Sequence, residues 1–315
     1  MADLPNRSLG VLGPEVAVIG LGCNNFGRRV DLEGTRAVVD AALEQGITFF
    51  DTANTYGDPR GQSEEFLGKV LQGRRGQVVL ATKFGMDMGD GRGPRGSRSY
   101  VLEACDASLR RLGTDVIDYY WYHQPDGVTP IAETLAALDD LVRAGKVRYI
   151  GASNFSADQI EEADAVARDR GVARFTAIQN NYSLLVRDAE RDVLPTCERL
   201  GLGFVPFFPL ASGLLTGKYH RGEPAPEGTR LGERERVASD EQFDVVEAVA
   251  QFADERGVSM IEVAIGALLA RPVVSTVIAG ATKPEQVGVN AAAARWTPTQ
   301  SDLDELQERA RLTGD

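Results

Sequence analysis

The sequence predicts a (β/α)8 barrel built as one domain over 1–315, and three observations carry that expectation. Eight short apolar runs recur along the chain, each bounded by turn residues and followed by a longer stretch with helical spacing. The same elements could instead form an open, doubly wound sheet, but that arrangement asks for a glycine fingerprint after the first strand. The segment "GLGCNNFG" at residues 20–27 places Asn25 where the third glycine belongs. No repeat, low-complexity tract or proline-rich linker divides the chain, and its 43% hydrophobic content suffices for a sizeable core.

The elements follow in order. Ser8 to Val18, with Leu-Gly and Leu-Gly-Pro among small apolar residues, reads as an N-terminal β-hairpin ahead of the barrel. The first strand, Ala17–Leu21, precedes a helix marked by Ala37, Val38, Ala41 and Ala42. Ile47–Phe50 and Val78–Ala81 are the second and third strands, and Leu102, Cys105, Leu109 and Leu112 mark the helix after the third. The remaining strands are Val116–Trp121, Val147–Gly151, Phe175–Gln179, Gly203–Phe207 and Thr276–Ile278. Tyr219 to Val237 is polar and aperiodic, which suggests a mobile loop over a site. Asp302 to Arg311 reads as a closing C-terminal helix. Hairpin and final helix are both expected to act as lids or plugs.

With 34 basic against 46 acidic residues the net charge is -12, which repels nucleic acid and anionic lipid over most of the surface. A small molecule is the expected partner, and an anionic one needs a local basic pocket. Cys23, Cys105 and Cys197 are too few for a disulfide framework, and His123 and His220 lack ligand spacing, so no metal site is expected. The N-terminal "MADLPNRSLG" has no apolar signal region, and no run nears the ~18 apolar residues of a membrane span. The expected setting is a reducing cytoplasm, away from membranes; oligomeric state is not legible.

Chemistry gathers at strand ends. In a barrel the working face lies at the C-terminal ends of the strands. Asp51 follows the second strand, Tyr56 lies in the loop beyond it, Lys83 ends the third and His123 the fourth. Singly, each is an ordinary turn residue, packed ring or solvated charge. Together they suit carbonyl reduction, in which hydride reaches carbon and the oxygen needs a proton. Tyr56 can give that proton if a cation favours its phenolate, and Lys83 fits that role. Asp51 supplies the counter-charge a buried ammonium requires, and a neutral His123 can donate a hydrogen bond that orients the carbonyl.

At these residues the chain resembles the aldo-keto reductase superfamily, in the bacterial and potassium-channel β-subunit branches. The matching segments are "FFDTANTYG", "VVLATKFG", "SLRRLGTDVIDYYWYH", "VRYIGASNFS", "IQNNYSLL", "FPLASGLLTGKY" and "VIAGATKPEQVGVNAAAA". The resemblance implies a TIM barrel, an Asp-Tyr-Lys-His tetrad falling on Asp51, Tyr56, Lys83 and His123, and NADPH/NADP+ as cofactor, with NADH possible. It implies that Ser153, Asn154 and Gln179 hold the nicotinamide carboxamide and that Phe207 stacks on its ring. Leu210, Ser212 and Gly213, with Gly280 and Thr282 at a helix start, would wrap the pyrophosphate, and Asn290 would meet adenine. Two departures stand out. Phe208 replaces a usual serine, and Gly280 and Gln286 occupy positions where some branches grip the 2′-phosphate with Lys and Arg; Lys218 and Arg230 are the substitutes expected here. Cys23, Phe26, Phe84 and Trp121 are the expected substrate-pocket wall. The expected function is NADPH-dependent, reversible reduction of an aldehyde or ketone, with a slow-turnover, NADPH-sensing regulatory module as the alternative.

Overall fold

The computed structural model describes residues 4–229, 232 and 238–310. A two-stranded antiparallel hairpin, β1 (Asn6–Ser8) and β2 (Glu15–Ala17), leads into eight parallel strands. These are β3 (Ile19–Gly22), β4 (Phe49–Asp51), β5 (Val79–Phe84), β6 (Ile117–Tyr122), β7 (Val147–Ser153), β8 (Phe175–Gln179), β9 (Gly203–Phe204) and β10 (Val277–Gly280). They pair in chain order, with β10 returning beside β3. The remaining edges meet through a parallel bridge between Phe204 and Val274 and an Ile278 N–H donated to the Pro206 carbonyl at 3.4 Å, so the sheet closes into the expected (β/α)8 barrel.

Helices cover the outside: α1 (Leu32–Glu44), α2 (Gln62–Val70), α3 (Arg98–Leu112), α4 (Ile131–Arg143), α5 (Ala157–Arg170), α6 (Val193–Leu200), α7 (Asp240–Arg256), α8 (Met260–Leu269), α9 (Pro284–Ala293) and α10 (Gln300–Arg309). Local chemistry sets their ends. Ser156, Ser239, Ser259 and Thr299 each form a reciprocal capping box with the residue three positions on. The buried stripe of α1 is Thr35, Val38, Val39 and Ala42, so Ala37 turns out to solvent, against the sequence expectation.

Two layers of core result. Outward side chains of the strands meet the helices, while Phe49, Ala81, Tyr119, Trp121, Ala177, Val205 and Ile278 fill the barrel interior. Leu9 and Val16 of the hairpin join that interior cluster, so the hairpin plugs the barrel, as expected. The contact demands glycine at position 10: a Cβ there would lie 2.1 Å from the Thr176 carbonyl oxygen. The final helix is no lid. It lies on α7, where Arg256 bonds Asp302 at 2.7 Å and Glu305 at 2.5 Å and sits 3.6 Å from the Phe252 ring.

Boundaries differ from the sequence reading for backbone reasons. Ala17 ends the hairpin rather than opening the barrel, and the chain turns at Val18, whose N–H bonds Pro5. The seventh strand stops at Phe204 because Pro206 has no N–H to give; Phe207 keeps only an isolated bridge to Asn181. Part of the predicted Tyr219–Val237 loop lies outside the described residues. Over its described part, Tyr219 is buried and Arg29 donates to the Gly228 carbonyl at 2.5 Å. Among the described residues no helix is long and apolar enough to cross a membrane.

Candidate active site

Strand alternation sends Asp51, at the end of β4, and Lys83, next to last in β5, toward the interior, where Asp51 is 2% exposed and Lys83 0%. The Lys83 ammonium bonds Asp51 Oδ2 and, at 2.9 Å, the Thr52 carbonyl. Asp51 Oδ1 accepts from Gln179 Nε2 at 3.0 Å, a contact spanning 128 residues of sequence. Tyr56, in the loop between β4 and α2, places its ring centroid 5.1 Å from Lys83 Nζ and 6.0 Å, edge-on, from the His123 ring. His123 follows β6, its N–H bonded to the Phe84 carbonyl at 2.7 Å and its own carbonyl receiving Asn154 Nδ2 at 2.9 Å. The structure thus brings all four residues together at one rim.

Burial weighs on the proton affinities of Tyr56, Lys83 and His123. The Tyr56 phenol is pushed up by burial, pulled down by the Lys83 charge and raised again by Asp51, and the net direction is upward. This corrects the expectation that Lys83 makes the phenol more acidic than usual: the cation only offsets desolvation. Burial works against the Lys83 ammonium, but the Asp51 carboxylate and Tyr56 outweigh it, and Lys83 stays charged. The His123 imidazole is held well below its usual range, first by burial and then by Lys83. The site therefore holds a protonated phenol, an ammonium, a carboxylate and a neutral imidazole.

Next to the tetrad lie the residues expected to hold a dinucleotide. Ser153 and Gln179 are register partners at the ends of β7 and β8. Asn154 adopts a left-handed φ of 60° and bonds Ser153 Oγ at 3.1 Å. After β9, Phe208, Ala211 and Ser212 have φ of 53°, 47° and 59°, and Gly213 has 100°. Three non-glycine residues in that region of φ cost about 1 kcal/mol or more each, strain of the sort that collects at binding loops. Lys218 lies over this loop, its Cε 3.0 Å from where a Cβ on Gly213 would be. Leu210 caps the turn, and Phe207 packs edge-on to Phe208 at 5.3 Å. Across the mouth, Gly280 is exposed at the end of β10, in register with Gly22. Gln286 Oε1 accepts from the Thr282 N–H at 2.7 Å, so it shapes the start of α9, and Asn290 is buried on that helix. Arg230 lies outside the described residues.

The expected pocket wall does not line an opening. Phe84 is fully buried on the outward face of β5, stacked on Tyr122 at 5.0 Å, because alternation points it away from the side Lys83 faces. Trp121 does face inward, but packs 4.3 Å from Tyr119 within the barrel interior. Cys23 and Phe26 belong to the outer core, the thiol donating to the Leu21 carbonyl at 3.4 Å.

Sequence reasoning missed a buried polar clamp behind the tetrad. Glu64, 0% exposed near the start of α2, accepts from Thr82 Oγ1 at 2.6 Å and Arg111 Nε at 2.6 Å. Ser63 bonds Thr52 Oγ1 at 2.8 Å and the Cys23 carbonyl at 2.9 Å. Thr52 follows Asp51 and Thr82 precedes Lys83, so α2 grips the outer faces of the two strands whose inner faces carry the ion pair. The polar segment "GQSEEFLG" gave no hint that one of its two acids is buried. Replacing Glu64 with alanine is expected to cost about 3 kcal/mol by stranding Thr82 and Arg111; a urea midpoint unmoved from that of the unaltered protein would refute it.

The model of the aldo/keto reductase family matches residues 18–311. L-glyceraldehyde 3-phosphate reductase of Escherichia coli K12 is 35% identical over 297 residues, covering 90% of this chain and 86% of that protein. A probable voltage-gated potassium channel subunit beta of Oryza sativa subsp. japonica is 35% identical over 297 residues, covering 90% and 89%. Its counterpart in Arabidopsis thaliana is 32% identical over 315 residues, covering 96% and 95%.

Proposed function

The chain belongs to the aldo/keto reductase family of oxidoreductases, and from that premise we propose that it reversibly reduces an aldehyde or ketone with NADPH, Tyr56 giving the proton. The observation that carries this reading is the buried Lys83–Asp51 pair set against the Tyr56 ring. The residues present suit a dinucleotide: Phe208, Ala211, Ser212 and Gly213 after β9 hold left-handed backbone of the kind found at binding loops, and α9 begins behind an exposed Gly280. When bound, the nicotinamide supplies the hydride.

The chain's own residues do the rest. Ser153, Asn154 and Gln179 hold the carboxamide, and Phe207 offers its ring face. Tyr56 keeps its proton through neutral pH and passes it to the carbonyl oxygen. Lys83 then faces the oxygen that has lost the proton and balances its charge, while Asp51 holds Lys83 in place. His123, neutral, donates a hydrogen bond to the same carbonyl oxygen.

Lys218, folded over Gly213, supports preference for a 2′-phosphate despite Gly280 and Gln286. Fluorescence titration should show tighter binding of NADPH than NADH, and equal affinities would overturn that preference. The three cysteines, buried and free, fit a reducing cytoplasm. L-glyceraldehyde 3-phosphate is the first carbonyl to assay, since a relative is named for it. The likeness to channel β subunits favours a second reading, a nucleotide sensor. Sustained turnover of NADPH with a reactive aldehyde supports the enzyme, and a single turnover with retained cofactor supports the sensor.

A further inference from the structure

One side chain touches both halves of the site. Gln179, at the end of β8, is 2% exposed and lies in register with Ser153 of β7, among the residues set to hold the carboxamide. Its Nε2 donates to Asp51 Oδ1 at 3.0 Å. A carboxylate oxygen only accepts, so the amide nitrogen is the atom that faces Asp51 and the amide oxygen Oε1 is turned aside. Oε1 makes no hydrogen bond among the described residues. The Gln179 backbone carbonyl is also in use, accepting the Asn154 N–H at 3.2 Å.

Asp51 needs this contact. Its Oδ2 meets the Lys83 ammonium, which also donates to the Thr52 carbonyl at 2.9 Å. The torsion that sets a carboxylate plane is broad and roughly two-fold, so a partner on one oxygen alone leaves the plane free to swing. Gln179 supplies the partner on the second oxygen and fixes the plane from both sides. Lys83 follows the carboxylate, and its Nζ lies 5.1 Å from the centroid of the Tyr56 ring. A small rotation of Asp51 therefore shifts the cation against the phenol. The titratable groups around this ion pair are Lys83 itself on β5, Tyr56 beyond β4, His123 after β6 and Cys23 after β3. Burial keeps the phenol, imidazole and thiol uncharged near neutral pH, so Lys83 is the one cation among them.

We propose that Gln179 is a positioning residue for the proton donor: Nε2 fixes the Asp51 carboxylate that aims Lys83 at Tyr56, while Oε1 accepts an N–H of the nicotinamide carboxamide. It rests on the carbonyl-reductase reading above and adds a coupling to it. One rigid amide makes both contacts, and a hydrogen bond at one end polarises the other. Seating the cofactor and aligning the ion pair are then a single event.

The test uses Gln179→Glu, which keeps the length and an acceptor oxygen for the carboxamide but turns a second carboxylate toward Asp51. With a reactive aldehyde and saturating NADPH, kcat should fall at least about tenfold, the worth of one charge-assisted hydrogen bond. A side chain that only holds the cofactor would change NADPH affinity and leave kcat at saturation in place, so an unchanged kcat overturns the proposal. Urea midpoints of the cofactor-free protein give a second readout. Gln179→Glu should lower the midpoint at about pH 8, and the deficit should shrink as pH falls, because an acid buried beside Asp51 has a raised pKa and regains a donor O–H once protonated. Adding Asp51→Asn restores a donor and an acceptor with their direction reversed and should recover most of the loss. Midpoints that simply add across the four proteins overturn the link between the two residues. If Gln179→Glu does not fold, Gln179→Met, uncharged and close in shape, takes its place, with kcat again falling and the midpoints again failing to add. Sustained turnover by the unaltered protein leaves the reductase reading standing whichever way the variants behave. Should no aldehyde turn over, that reading fails and the midpoints alone decide whether Gln179 positions Asp51.

Discussion

Replacing Tyr56 with phenylalanine is expected to lower kcat for carbonyl reduction by about 10²–10⁴-fold, the usual worth of a positioned general acid, while NADPH affinity changes little. The ring keeps its edge contact with His123 and its place beside Lys83, so the packing survives and only the proton is lost. The pH profile adds a signed expectation. Reduction uses the protonated phenol, and burial raises its pKa above the ordinary value of about 10. The rate limit set by this group should therefore be flat from neutral into mildly alkaline pH and fall only as pH rises through that raised value. Oxidation of the alcohol, which needs the deprotonated form, should gain over the same range. His123 sits far below its usual range and should add no acid limb near pH 6.5. Undiminished reduction in the phenylalanine variant would end the assignment of Tyr56 as donor.

Replacing Lys83 with methionine should be costly twice over. Methionine is close in shape but strands the Asp51 carboxylate, 2% exposed, without its cation, a loss of about 3–5 kcal/mol when one partner of a buried pair is removed. It also removes the charge that pulls the Tyr56 phenol down and that balances the oxygen after proton transfer, so kcat should fall by about 10²–10³-fold as well. The double variant Lys83→Met with Asp51→Asn separates the two effects. It should regain most of the stability, since no lone charge stays buried, and none of the rate. Urea midpoints and kcat on the four proteins of the cycle check this. The raised Lys83 pKa also means that its share of stability is complete below the unfolded value of about 10.4 and disappears as pH climbs through the folded one. Lys83→Met should blunt that alkaline loss. A double variant as unstable as the single, or one with restored turnover, would contradict the role given to the pair.

Much of this site could be read before any coordinates, because strand ends are local features. A run of apolar residues followed by Asp51, Lys83 or His123 announces both a strand and the side chain at its mouth, and three such announcements converge once the strands close in order. The pocket wall was misjudged for an equally plain reason. Phe84 adjoins Lys83 in sequence, yet the period of two turns it to the opposite face, and the slightly longer β5 carries it into the outer core. Cys23 and Phe26 sit in a loop that folds back under α2, so apolar character there meant packing. Glu64 escaped notice because a carboxylate inside a helical pattern usually faces water, and only Arg111, 47 residues away, makes its burial tolerable.

Composition, periodicity and the placement of a few reactive side chains at strand ends were enough to specify a plugged (β/α)8 barrel and to nominate the phenol, ammonium, carboxylate and imidazole at its rim. Contacts between distant segments were not: Gln179 bonding Asp51, and Ser63 and Glu64 gripping the strands from outside, arise only when the barrel closes. The same holds for the sign of the Tyr56 shift. Neighbouring charges can be guessed from a string of residues, but the depth of burial that outweighs them depends on how far water is excluded, which the assembled fold alone determines.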